Sequence, residues 1–407
     1  MKDKLHTINE IGLAFAKMLV DNYWQPLREK VKNDNTLIDT IPDFLINPEK
    51  IVFYFNKTHL AVEYFGKIQA EEVHEEGTIE FICHDFTKKE SFFEEIIGFQ
   101  FDTTTKMKFP IPHFLENHIA PTNKGIDKLL ELKWNFDAQE AIISINLGNF
   151  YFEENYFTRI VNSFYFDEQN GFLKTRHIKW LDCYPIHFSD IDEDYERFIF
   201  PLEVFKQQLE KDPKYLFPKI LDFKYSKLQK LNRFIELVAD DSIIETDITT
   251  YLALPENEFI LTMAFFATTI SAQKLCEWQS EEKIPLKPDF FITQPNGYSN
   301  ILEFKLPILK SKSVTGISNR ETFSAELNSY ISQVRVYKNY FEDPNNRVWM
   351  QQEHNLKIES PKKILVIGRR WNFENTEWKG IIADYKDLEI FTYDDIIDGI
   401  LAQLYKK

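Results

Sequence analysis

Apolar residues recur at helical spacing through the first 32 positions, at Ile8, Leu13, Phe15, Met18 and Leu19, and predict an amphipathic helix. From about 36 to 115 the period changes. IVFYF (51–55), HLAVEYF (59–65), TIEFICHDF (78–86) and IIGFQFD (96–102) are short runs rich in Phe, Tyr, Val and Ile. Charged or Gly-containing turns separate them, as in an antiparallel sheet. A second strand-rich stretch covers roughly 131–200, through AIISINLGNFYF, IVNSFYFD and FLKTRHIKWLDCY. Helical periodicity returns at 201–212 and 219–241, followed by strands and helices in alternation. The change of texture places a boundary near 210–240. The expected layout is a β-rich N-terminal domain over 1–120, a second β-rich segment over 121–215 and an α/β domain over 216–407, α+β overall.

Within the last stretch, KPDFFI and ILEFKL flank a turn built on Pro295-Asn296-Gly297. Asn-Gly is a strong tight-turn signal, so the two runs read as a hairpin. Pairing across the turn sets Asp289 opposite Phe304, give or take one position. Side chains alternate along a strand, so Glu303 and Lys305 share a face while Leu302, Phe304 and Leu306 enter the core. Two carboxylates and an ammonium then converge at one end of a half-buried hairpin, a costly arrangement unless something binds between them. Two such carboxylates suit Mg²⁺, which prefers oxygen ligands and keeps several waters. A surface salt bridge on an ordinary hairpin is the alternative on spacing alone.

A basic loop (309–320) leads from the hairpin to a helix expected over 322–341, with Phe323, Leu327, Ile331, Val334 and Phe341 on its apolar side. Glu326, Tyr330, Gln333 and Tyr337 form a neighbouring stripe. KILVIG (363–368) is a wholly apolar run, the mark of a strand buried on both faces, and ends in Arg369-Arg370. LEIFTY (388–393) is a further strand, and 394–406 a closing helix.

Composition changes this picture in three ways. Hydrophobic residues make up 43% of the 407 positions, and 37 residues are Phe, too apolar for a disordered chain. The three cysteines have no CxxC spacing, which excludes a zinc ribbon and fits a reducing cytoplasm. Nowhere do 18 apolar residues run together, so no membrane span is expected. EEVHEEG (71–77) and DEDYE (192–196) read as solvated acidic loops rather than sites.

The net charge of −16 excludes a uniformly basic nucleic-acid coat. It is uneven, however. Between Lys283 and Arg370, fourteen Lys and Arg face eight Asp and Glu, a local +6 that leaves −22 for the remainder. The basic footprint coincides with the hairpin. Two cations at a strand's end, Arg369 and Arg370, suit a phosphate backbone.

Pro288-Asp289 followed by Glu303-Phe304-Lys305 resembles the signature of the PD-(D/E)xK nuclease superfamily. The wider stretch of roughly 240–405 resembles the Shedu anti-phage defence family (SduA-type, DUF4263), in KPDFFI, ILEFKLP, the Gln333-x-x-x-Tyr337 helix, KILVIGRR and LEIFTYDDIIDGIL. No resemblance covers 1–210. The likeness implies a restriction-endonuclease-like mixed sheet flanked by helices and a Mg²⁺-dependent DNA endonuclease, with Mn²⁺ able to substitute.

By the same likeness, Asp289 and Glu303 hold the metal with the Phe304 carbonyl, Lys305 serves the attacking water and Gln333 positions water or phosphate. Glu245 completes the metal shell, with Glu256 and Glu258 as rivals. Lys310, Lys312, Arg320, Arg369 and Arg370 are the candidate nucleic-acid contacts. Phage or plasmid DNA is the expected partner, and a homo-oligomer, a tetramer by the family, the expected assembly. The N-terminal region would regulate or sense. A catalytically silent nucleic-acid end binder or a protein-interaction sensor is the competing reading.

Overall fold

Two long strands, Thr158–Gln169 and Phe172–Pro185, turn on Asn170 and Gly171, which take left-handed conformations (φ 55° and 87°). Positive φ at both turn positions matches the twist of the flanking strands, which explains Asn-Gly here. In this computed structural model the hairpin anchors the first of two compact units, Met1–Ser226 and Lys227–Lys407. The structure describes the chain outside residues 1–7, 75–78, 102–107, 139–140, 143–148, 193–194, 218–222, 281, 310–311, 318–319, 374–375, 386–387 and 406–407. The protein is α+β, with helices and several sheets.

In the first unit, strands Glu80–Asp85, Lys50–Phe55, His59–Phe65, Phe172–Pro185 and Thr158–Gln169 lie side by side in that order, followed by His118–Pro121. Strands from both β-rich sequence stretches thus share one sheet. Its two faces are both covered, which explains why IVFYF is apolar throughout. Phe53 and Phe55 pack beneath Phe15, Leu19 and Leu27 of the N-terminal helices. Val52 and Tyr54 face Phe92, Phe93, Ile96 and Ile97 on the other side. The expected N-terminal helix is present as Ile8–Leu19, a π-helical turn over Val20–Trp24, and Gln25–Asn33.

Three local expectations are corrected. The run 96–102 is not a strand: Phe92–Ile97 is a helix ended by Gly98 at φ 85°. Its apolar residues fall on one helical face, and burial of that face overrides their strand propensity. Glu80–Asp85 pairs with Lys50–Phe55 in parallel, not antiparallel. Of the DEDYE segment, expected as a loop, Asp192, Tyr195 and Glu196 lie in the antiparallel strands His187–Asp192 and Tyr195–Ile199; 193–194 lie outside the described residues.

The second unit holds a five-stranded sheet in the order Thr269–Ala272, Phe290–Thr293, Ser299–Phe304, Lys363–Val366, Leu388–Phe391. The first two junctions are antiparallel and the last two parallel. Gly297, at φ 83°, closes the hairpin between Phe290–Thr293 and Ser299–Phe304, and the Gly297 N–H donates to the Gln294 carbonyl at 2.8 Å. Ser324 caps the helix Ala325–Glu342 by accepting from the Leu327 N–H.

Leu327, Ile331, Val334 and Phe341 of that helix bury against Phe291, Ile301, Leu365 and Ile367. On the opposite face Phe304 packs against Phe290 and against Tyr393, the first residue of the helix Tyr393–Tyr405. Among the described residues no helix is long and apolar enough to cross a membrane.

Candidate active site

The hairpin register pairs Phe290 with Leu302, so Asp289 falls opposite Glu303, one place from Phe304 and within the expected tolerance. Opposed residues of an antiparallel pair share a face, and this face is the one Ile301 buries under the helix Ala325–Glu342. The alternation that seats Ile301 therefore carries Asp289, Glu303 and Lys305 to the end of the same row. Backbone groups lock the two carboxylates there. The Phe304 N–H donates to Asp289 Oδ2 at 2.8 Å, and the Asp289 N–H to Glu303 Oε2 at 3.3 Å.

Glu303, only 3% exposed, is the centre of the cluster. Its Oε1 accepts from Lys305 Nζ at 3.3 Å and from Gln333 Nε2 at 2.9 Å, and its Oε2 from the Tyr337 hydroxyl at 3.3 Å. Lys305 Nζ also donates to Glu245 Oε2 at 3.0 Å and stands 5.6 Å from the Tyr330 ring centre. Glu245 opens the helix Glu245–Leu252, whose first turn is tied down by the Ile244 N–H donating to Asp247 Oδ2 at 3.2 Å.

The electrostatics follow from burial. Desolvation raises the pKa of Asp289. Desolvation first, then the Asp289 charge, pushes Glu303 up to about 7. Burial works against the Lys305 ammonium, but Glu303 and Glu245 outweigh it and hold its pKa above the usual lysine value. Three carboxylates gather about one ammonium, Glu303 and Glu245 directly and Asp289 through the hairpin backbone. An all-oxygen donor set of this kind would suit a hard divalent cation, which Asp289, Glu303 and the Phe304 carbonyl would hold. Among the described residues no three His, Cys, Asp or Glu are grouped to hold a metal through side chains alone.

The structure brings together Asp289, Glu303, Lys305, Gln333 and Glu245. Of the rival glutamates, Glu258 accepts instead from the Ile270 N–H at 3.1 Å, and Glu256 lies exposed on the short turn Pro255–Asn257. The five candidate nucleic-acid cations differ in placement. Lys312 and Arg320 are exposed, and Lys310 lies outside the described residues. Arg369 is 2% exposed and donates to both oxygens of Asp394, at 3.0 and 2.7 Å, so its guanidinium is engaged inside the fold. Arg370, half exposed, pairs with Asp395 and Asp398.

Two participants were not readable as such. Tyr337, read as part of the Gln333-x-x-x-Tyr337 motif and given no role, is 5% exposed and bonds Glu303. The Tyr393 hydroxyl donates to the Lys305 carbonyl at 2.6 Å, and nothing in LEIFTY marks that contact. Residues 201–397 match the family model described as Shedu protein SduA, C-terminal. No curated protein matches the chain.

Proposed function

From the match of residues 201–397 to the Shedu SduA C-terminal family, we propose that the chain acts in anti-phage defence as a Mg²⁺-dependent DNA endonuclease. The observation that carries this reading is the convergence of Asp289, Glu303, Lys305 and Glu245 on one partly buried cluster. Asp289 and Glu303 would hold the metal with the Phe304 carbonyl. When bound, Mg²⁺ supplies Lewis-acid activation of water and offsets charge on the phosphate.

The chain's own residues do the rest. Lys305, its ammonium anchored between two carboxylates, orients the attacking water or stabilises negative charge developing on the phosphate. Gln333, an exposed residue bonded to Glu303, would present its amide to water or phosphate. Tyr337 fixes the Glu303 carboxylate from beneath. Lys312 and Arg320, exposed and near the start of the same helix, are suited to the phosphate backbone. Arg369 and Arg370 serve the fold first. A homo-oligomer would bring several such sites to one duplex.

One observation favours a second reading, a silent nucleic-acid binder. Glu303 already receives four donors from within the protein. A cleavage assay on linear, circular and single-stranded DNA with Mg²⁺ or Mn²⁺ separates the two. Cutting by the intact chain, abolished in Lys305→Ala and Glu303→Ala, supports the nuclease. Salt-dependent binding without a product supports the binder.

A further inference from the structure

We propose that Tyr393 is a positioning residue for Lys305, an inference that rests on reading the site as a nuclease centre. Lys305 stands one residue beyond the strand Ser299–Phe304, where the ladder that fixes a strand backbone is running out. Its N–H still donates to the Val366 carbonyl at 2.8 Å. Its carbonyl accepts not from a strand but from the Tyr393 hydroxyl, at 2.6 Å. Both backbone groups of Lys305 are thereby held, although the residue lies outside the strand.

Tyr393 is itself immobilised. It is fully buried, with ring centres 6.0 Å from Phe304 and 6.1 Å from Phe234. Its N–H donates to the Gly368 carbonyl at 3.1 Å. The next residue, Asp394, is gripped by the Arg369 guanidinium and accepts from the Arg370 N–H at 2.7 Å. The buried ion pair of Arg369 thus braces the start of a helix whose first hydroxyl sets the Lys305 peptide.

The consequence concerns the ammonium. A lysine side chain has four rotatable bonds and loses much freedom when its end is fixed. Starting it from a clamped peptide is what allows Nζ to sit at 3.0 Å from Glu245 and 3.3 Å from Glu303 together. Packing alone would be met by phenylalanine; the hydroxyl on the Lys305 carbonyl is what phenylalanine lacks. Removing it leaves a buried carbonyl without that partner and lets the peptide turn.

The test uses the full chain carrying Tyr393→Phe. Tyr340→Phe is the matched control, because Tyr340 is also fully buried and also donates to a backbone carbonyl, that of Glu277 at 2.8 Å. Lys305 acylation by an N-hydroxysuccinimide acetate reagent is timed by peptide mass spectrometry, alongside kcat and KM for DNA. Tyr393→Phe should speed Lys305 acylation about fivefold and lower kcat about tenfold with KM unchanged, whereas Tyr340→Phe does neither. Asp394→Asn, which weakens the brace, should move both readouts the same way by less, and it decides the matter if Tyr393→Phe does not fold. Acylation at the wild-type rate in Tyr393→Phe, or equal acceleration in both tyrosine variants, overturns the proposal. Absence of cutting by the wild-type protein would sink the nuclease reading, and the acylation rates would still judge the role of Tyr393.

Discussion

The Lys305 ammonium lies 3.0 Å from Oε2 of Glu245, a residue sixty positions earlier that opens a different helix. Groups that orient a site's charged members tune it without necessarily touching substrate, and losing one costs about 10–100-fold in activity or metal affinity. Glu245→Gln is therefore expected to slow DNA cutting by about 10–100-fold. Glu256→Gln, on the exposed turn nearby, should leave the rate unchanged. Equal rates for the two variants in a plasmid-nicking assay would remove Glu245 from the site.

Divalent metal should stabilise the fold. Three carboxylates crowd one ammonium, and burial disfavours the charged forms of Asp289 and Glu303. A cation bound only by the folded chain adds about 2.7 kcal/mol when its concentration is about 100 times its Kd. Melting curves across a Mg²⁺ titration should rise for the wild type and stay flat for Asp289→Asn. A rise of the same size in Asp289→Asn would place the metal elsewhere.

Glu236 makes a pH prediction away from the site. It is 4% exposed on the helix Phe223–Ala239, with Arg233 on one carboxylate oxygen at 2.6 Å and, among the described residues, no hydrogen-bond partner on the other. Burial pushes its pKa up to about 7 from the usual 4.5. The folded chain then binds more protons than the unfolded one between those values, so stability falls as pH rises through that window. The cost is absent below about 4.5, complete above about 7, and of order 3 kcal/mol at most. Glu236→Gln should remove this component, so its gain over wild type in urea unfolding grows from pH 5 to pH 8. A constant difference across that range would contradict the assignment.

Arg159 should be indispensable to the N-terminal unit. Its guanidinium is buried between Asp182, at 2.6 and 2.8 Å, and Asp212, at 2.5 and 3.0 Å, and Tyr23 donates to Asp212 at 2.7 Å. Arg159→Met strands two buried carboxylates and should cost about 3–5 kcal/mol, read as a lower denaturant midpoint. Adding Asp182→Asn and Asp212→Asn to that variant should recover part of the loss. No recovery would mean that packing, rather than unpaired charge, sets the cost.

Local pattern was legible where one element satisfied it. Asn296-Gly297 announced its hairpin because positive φ is a property of the glycine itself. KILVIG announced a strand covered on both faces because four successive apolar residues after Lys363 leave no side for water, and Ile364 through Ile367 are all buried. Pattern misled at 96–102, whose first two residues end the helix Phe92–Ile97. There Phe and Ile suit strand and helix alike, and the choice was made by what Phe93, Ile96 and Ile97 pack against. The parallel pairing of Glu80–Asp85 was equally hidden, since pairing direction is decided by where the connection travels and not by the strand's own residues.

Covalent geometry alone put Glu303 and Lys305 on one face, because side chains two apart on a strand must share it. The turn put Asp289 across from them to within one residue. What joins that face was decided in three dimensions. Glu245 rather than Glu258 reaches Lys305, because the Glu258 carboxylate is used on the Ile270 N–H. Arg369 turns inward because Asp394, at the head of the last helix, offers both oxygens to it. Such choices depend on how helices distant in sequence seat against the sheet, and a charged side chain goes wherever burial leaves it a partner. The chemistry of the hairpin was therefore written locally, whereas its supporting shell came from packing.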